Sequence, residues 1–191
     1  MKELSLHLLD VAENSISAGA QRIRIVVSED TELDLLQMSV EDDGRGMSSE
    51  MVKQVTDPFV TSRTTRKVGL GIPLLKFAAE SCNGHFKISS EQGKGTKLFV
   101  EFQRSHIDRM PMGDLTTTIL HLIIANPHIN WVFEYSYNGS LAVFDDTLIK
   151  EELGDIPMTE PDILNCLKEM IESMILEVNP QFTEDAITIQ Y

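Results

Sequence analysis

Basic residues are scarce in the second half of this chain. Among 191 residues there are 16 Lys or Arg against 30 Asp or Glu, a formal charge of −14. Residues 104–191 hold only 4 of the basic side chains and 15 of the acidic ones, whereas residues 1–103 hold 12 and 15. Nucleic-acid binding draws on clustered Lys and Arg, so the acidic half argues against a nucleic-acid partner. The nearly neutral first half tolerates an anionic ligand. Cysteine is also scarce. Cys82 and Cys166 form no CxxC pair and no disulfide framework, which fits a reducing, cytoplasmic setting. Both read as small buried hydrophobes, Cys166 on the apolar stripe of a helix. Long apolar runs are missing too. The densest, Ile119 to Ala125, falls well short of the ~18 residues of a membrane span, so no membrane partner is expected. The first residues enter an amphipathic pattern directly, without the apolar core and small-residue cleavage site of a signal peptide. Neither repeats nor low-complexity runs appear. With 42% apolar residues the chain can bury a proper core, enough for one domain or slightly more.

The periodicities predict the following elements. Residues 4–17 carry an apolar stripe of helical period (Leu6, Leu8, Leu9, Val11, Ala12, Ile16), stopped at Gly19. Arg22 to Val27 and Leu35 to Glu41 read as strands. Ser48 to Val55 reads as a short helix capped by Ser48 or Ser49, and 57–68 as a mobile loop. Leu70 to Ser81 is a predicted helix, followed by strands His85 to Ser90 and Thr96 to Phe102. A boundary is expected near Pro111, dividing the chain at residues 1–104 and 105–191. Beyond it Asp114 caps a helix through Ala125. Ile129 to Tyr135 and Ser140 to Phe144 flank Asn138-Gly139, a strong hairpin signal. Residues 161–176 form an amphipathic helix with Leu167, Met170, Ile171 and Ile175 on its apolar side. Ala186 to Ile189 is a candidate last strand.

Four short segments of the first half carry the chemistry. Asp10 and Asn14, four residues apart, share a helix face with His7. An amide oxygen is a hard ligand suited to magnesium, and a carboxylate one turn away can orient or deprotonate a nucleophile. Taken alone, the pair also reads as an ordinary solvated helix face. Asp42-Asp43-Gly44-Arg45-Gly46-Met47 puts an acid at the end of a hydrophobic strand, where a buried carboxylate must find a donor such as an exocyclic amine. Its glycines let backbone approach a ligand; a plain acidic turn is the alternative. Gly69-Leu70-Gly71 opens a helix and leaves free N–H groups at the positive end of the helix dipole. Arg63, Arg66 and Lys67 before it offer charge to phosphate oxygens, although a flexible basic loop fits as well. Gly93-Lys94-Gly95-Thr96 is a hairpin turn whose Thr96 hydroxyl can lie near a base.

In this order the segments resemble the GHKL ATPase superfamily, which unites gyrase, the heat-shock chaperone of the ninety-kilodalton class, sensor histidine kinases and MutL. The resemblance covers residues 4–103. It implies an α+β, two-layer α/β sandwich with a mixed β-sheet (the Bergerat ATP-binding fold), here with a small α/β C-terminal extension. It also implies ATP and Mg2+ as cofactors. By resemblance Asn14 is the magnesium-binding asparagine, Asp42 the adenine-reading aspartate, and Gly44, Gly46 and Met47 its neighbours. Phe59 falls in the phenylalanine box. Gly69, Leu70 and Gly71 stand at the phosphate end, and Thr96 closes the last glycine turn. Asp10 takes the place of the catalytic glutamate of the hydrolysing and serine-kinase branches, one methylene shorter. Glu13-Asn14-Ser15 is similar to the MutL wording, while Pro58 through Lys76 is nearer to histidine kinases and anti-sigma serine kinases.

Residues 105–191 carry no catalytic pattern. With no phospho-accepting histidine helix before Met1 and His7 inside the nucleotide helix, autophosphorylation by this chain alone is not expected. The expectation is therefore a regulator that binds ATP or ADP and transfers the γ-phosphoryl group to a partner protein, with a homodimer possible. The alternatives are an ATP-gated binding module without turnover and, less favoured, a MutL-like hydrolase.

Overall fold

A computed structural model describes residues 2–56, 71–154 and 156–182. In chain order the elements are α1 (Leu4–Ser17), β1 (Arg22–Asp30), β2 (Leu35–Asp42), α2 (Ser49–Val55), α3 (Gly71–Ser81), β3 (His85–Glu91), β4 (Gly95–Gln103), α4 (Leu115–Ala125), β5 (Asn130–Tyr137), β6 (Ser140–Asp145), α5 (Thr147–Leu153) and α6 (Pro161–Val178). The strands form one mixed sheet in the order β3-β4-β2-β1-β5-β6. Alternation sets its two faces. Ile23, Ile25 and Val27 of β1, Leu36, Met38 and Val40 of β2, and Leu98, Val100 and Phe102 of β4 are all buried. Helices α1, α3, α4 and α6 supply the matching apolar layer through Leu8, Leu75, Ile119 and Ile171. Burying each such side chain stabilises the fold by about 1.5–3 kcal/mol. The result is a two-layer α+β sandwich, as the resemblance implied.

The hairpin β5–β6 does not stand apart from the first four strands. β5 runs parallel to β1 with Ile23 opposite Trp131 and Ile25 opposite Phe133, so both halves of the chain build the same sheet. Asn138 and Gly139 both take positive φ, 48° and 83°, as the two-residue hairpin requires. Ser48 caps α2 by accepting the Met51 N–H at 3.3 Å, and Asp114 caps α4 by accepting the Thr117 N–H at 2.7 Å.

Three sequence-based expectations need correction or addition. α5 was not anticipated. Cys166 is exposed rather than buried, and Met170 is exposed too. The buried seam of α6 runs through Leu167, Ile171 and Ile175, a spacing of four. Residues 166 and 170 each precede a seam position by one residue, about 100° around the helix. The candidate strand Ala186 to Ile189 lies outside the described residues. Within them no helix is long and apolar enough to cross a membrane.

Candidate functional site

α1 begins without a side-chain cap. Instead Leu4 N–H and Ser5 N–H donate to the carbonyls of Pro111 and Met112 at 3.0 and 2.8 Å, satisfying two of the donors a helix leaves open at its start. The stretch before α4 thus anchors the helix that carries Asp10 and Asn14. Asn14 is exposed, and its Nδ2 donates to the Asp10 carbonyl at 2.9 Å. That bond occupies the donor end of the amide and leaves Oδ1, the end suited to a hard cation, uncommitted by it. Asp10 is half-buried. A Cβ built on Gly71 would lie 2.7 Å from Asp10 Oδ2, so the carboxylate rests directly against the first residue of α3. It sits at the positive end of that helix.

Asp42 ends β2 and is only 9% exposed. Two neutral donors hold it. Ser15 Oγ donates to Oδ2 at 2.6 Å, and Gly44 N–H donates to Oδ1 at 2.9 Å. The next residue, Asp43, holds the backbone in place. Its Oδ1 accepts from the N–H groups of Gln21 and Arg22 at 2.7 and 2.9 Å, tying the glycine bend to the start of β1.

The two glycine bends brace each other. Gly93 N–H donates to the Arg45 carbonyl at 2.7 Å, and Arg45 N–H to the Ala18 carbonyl at 3.0 Å. Gly46 takes φ +63°, and a Cβ there would fall 2.0 Å from the Glu91 carbonyl oxygen; Gly95 takes φ +98°, and a Cβ there would fall 1.8 Å from the Asp42 carbonyl oxygen. Neither position has room for a side chain. Thr96 pairs with Asp42 across β4 and β2. Its hydroxyl lies 2.9 Å from Ser90 Oγ, which also accepts the Met47 N–H at 2.8 Å and donates to the Gly95 carbonyl at 2.9 Å. An open depression of about 400 Å3 at this end of the sheet is lined by Asp42, Ser90, Gly95 and Thr96, with Glu41, Lys94 and Lys97 around them.

Asp10, Asn14, Asp42, Gly44, Gly46, Met47, Gly71 and Thr96 thus come together where α1, β2, α3 and β4 meet. Phe59, Arg63, Arg66, Lys67, Gly69 and Leu70 lie outside the described residues. His7 is buried and its Nδ1 has no hydrogen-bond partner among the described residues. Burial, and then the charged N-terminus, push its pKa below the usual histidine value, against an opposing pull from Asp10. Sequence reasoning missed Ser15 and Ser90 as members of the site. Ser15 follows Asn14 directly, and a polar residue on the buried side of an amphipathic helix was its available signal. Among the described residues no three His, Cys, Asp or Glu side chains are grouped to hold a metal. A cation held by Asn14 Oδ1 would share its shell with water and ligand oxygens, as magnesium does beside phosphates.

A glycine-braced carboxylate, an amide-bearing helix beside it and a helix start set against Asp10 thus lie at one end of a two-layer α+β sandwich. Residues 2–106 match the family described as histidine kinase-, DNA gyrase B-, and HSP90-like ATPase. The chain belongs to this family. Its similarity to Sporulation kinase C of Bacillus subtilis is 30% identity over 94 residues, 49% of this chain and 22% of that protein. Its similarity to the cell-division control histidine kinase PdhS of Brucella abortus is 31% over 121 residues, 56% of this chain and 11% of that protein. The chain therefore spans less than a quarter of the length of these relatives. A solved structure of the N-terminal domain of a DNA repair protein superposes with a TM-score of 0.52 at 14% identity, covering 83% of this chain and 59% of that one. That likeness is one of fold, and it reaches beyond the stretch matched by the family.

Proposed function

We propose that this protein binds ATP with magnesium at the end of β2 and transfers the γ-phosphoryl group to a hydroxyl of a partner protein. Family membership supports ATP as the ligand. The observation that carries the transfer is the Asp10 carboxylate, set against the first residue of α3 and one turn from Asn14. In this reading Asp42 accepts from the exocyclic amine of adenine, and the Gly44–Gly46 and Gly93–Gly95 bends form the floor beneath the base. Asn14 Oδ1 would hold the magnesium ion, which when bound neutralises phosphate charge. Asp10 orients the acceptor hydroxyl and takes its proton. The hydroxyl oxygen forms the new bond to the γ-phosphorus as the bond to the bridging oxygen breaks, and ADP leaves. Arg63, Arg66 and Lys67 complete the charge balance on the γ-phosphate in this proposal, with Phe59, Gly69 and Leu70 as further nucleotide contacts.

The test uses γ-labelled ATP and magnesium, with and without proteins co-purified from the native host, alongside Asp10→Asn and Asn14→Ala. Label on a partner, lost in both variants, is the expected result. ATP binding with no label on any protein and no phosphate release would instead establish an ATP-gated binding module. One observation favours that second reading. The Asp43 clamp holds Gln21 and Arg22, and Gln21 accepts the Asn130 N–H at 2.8 Å. Two hydrogen bonds, one through the Asp43 side chain and one between backbones, thus join the nucleotide end to β5 and offer a route by which a change there would reach the acidic half.

A further inference from the structure

We propose that Ser15 is a specificity-determining residue: by pinning Asp42 as a hydrogen-bond acceptor it makes the site prefer a 6-amino purine over a 6-oxo purine. The proposal deepens the reading of Asp42 as the base-recognition group and rests on it. Ser15 is 4% exposed and Asp42 9%, so water does not readily replace the bond between them. The hydroxyl has two acceptors within reach. The Val11 carbonyl is at 3.5 Å and Asp42 Oδ2 at 2.6 Å; the first is at the outer limit for a hydroxyl bond, the second is short and charge-assisted. The proton therefore points at Asp42. Gly44 N–H holds the other oxygen. With one donor on each oxygen the carboxylate plane is held in place, and each oxygen keeps a further lone pair with which to accept.

Such a group matches the N–H of a 6-amino purine and opposes the carbonyl oxygen of a 6-oxo purine. An unmatched polar pair in a buried site discriminates against the wrong ligand far more strongly than a lost apolar contact does. Helix geometry explains why Ser15 holds this role beside Asn14. Adjacent helix residues point about 100° apart, so one turns toward the sheet and Asp42 while the other faces outward beside Asp10. Recognition of the base and placement of the phosphate groups are thereby fixed to the same helix.

The experiment is calorimetric titration of the full chain and of Ser15→Ala, Ser15→Cys and Ser15→Thr with ATP and with inosine triphosphate, each with magnesium, and with thermal melts of every variant. The wild type is expected to prefer ATP. Ser15→Ala and Ser15→Cys should lose about tenfold in ATP affinity, the scale of one hydrogen bond to a charged group. The ATP-over-inosine-triphosphate ratio should fall by a similar factor, and Ser15→Thr should restore both. The Cys variant keeps the side-chain volume, so it remains informative should the Ala variant fold poorly. A folded Ala or Cys variant with an unchanged ratio overturns the proposal and leaves the base reading of Asp42 intact. Asp42→Ala with undiminished ATP affinity overturns that reading instead, and the proposal with it.

Discussion

Replacing Gly95 with alanine tests whether the two glycine bends form a shared floor or merely connect strands. The comparison is with Gly93→Ala in the same turn. Both glycines have positive φ, +80° at Gly93 and +98° at Gly95, but a Cβ on Gly93 meets nothing within 4 Å, whereas one on Gly95 lies 1.8 Å from the Asp42 carbonyl oxygen and 2.7 Å from its carbon. The backbone strain of a left-handed alanine, about 1–2 kcal/mol, applies to both. At Gly95 the end of β2 must also move by more than an ångström, and forcing atoms into a filled site adds about 1–3 kcal/mol. The expected totals are about 1–2 kcal/mol for Gly93→Ala, which carries only the backbone strain, and about 2–5 kcal/mol for Gly95→Ala, which carries both contributions. Urea denaturation followed by circular dichroism measures the difference. ATP titration of the folded fraction should show weakened binding only for Gly95→Ala, because Asp42 carries the displaced carbonyl. Equal destabilisation of the two variants, within about 0.5 kcal/mol, would refute the reasoning, since additive shifts of that size are within ordinary scatter.

His7 has its pKa lowered below 6.5, chiefly by burial, so the unfolded chain binds a proton first as pH falls. Its contribution to stability is fully present above 6.5 and lost on acidification through the depressed native value; urea midpoints at pH 7.5 and 5.5 should therefore fall less in His7→Leu than in the wild type. Lys150 pairs with the fully buried Asp146 at 2.6 Å, and burial already pushes the Asp146 carboxyl above its ordinary value. Lys150→Met should cost about 3–5 kcal/mol at pH 7 by leaving that charge unpaired. The cost should shrink as pH falls, because the native carboxyl takes up its proton before the unfolded one does. Tyr135 OH, buried between α6 and β1, donates to Glu29 Oε1 at 2.9 Å and accepts from Asn179 Nδ2 at 2.9 Å. Tyr135→Phe should lower the unfolding free energy by about 1–3 kcal/mol, read from the same denaturation curves.

Elements whose cause is local were legible in the residues themselves. The extent of α1 follows from an apolar stripe and from Gly19 taking φ +78° where the helix ends. The β5–β6 turn follows from Asn138-Gly139, which tolerates positive φ, and the caps Ser48 and Asp114 follow from oxygen-bearing side chains beside free N–H groups. That Asp10, Asn14, Asp42, Gly71 and Thr96 are candidates was legible as well, because an amide, an acid and glycine bends stand in order along the chain; their roles at a nucleotide belong to the proposed function.

Other features depend on distant partners and leave no mark on either partner alone. Nothing in Arg22–Asp30 specifies that its free edge takes β5 in parallel; that pairing depends on α4 bringing the chain back across the sheet. α5 is as short as α2, seven residues, but unlike α2 it starts without a side-chain cap bond. Cys166 and Met170 look apolar in sequence, yet the rotation of α6 on β5 and β6 leaves them outside. Ser15 became part of the site only when α1 settled on β2 and brought a hydroxyl within 2.6 Å of Asp42. Sequence alone thus determined local conformation and the inventory of reactive groups, since both depend on neighbouring residues. Tertiary structure decided which groups face each other, because that depends on how separately formed surfaces come to share one buried interior.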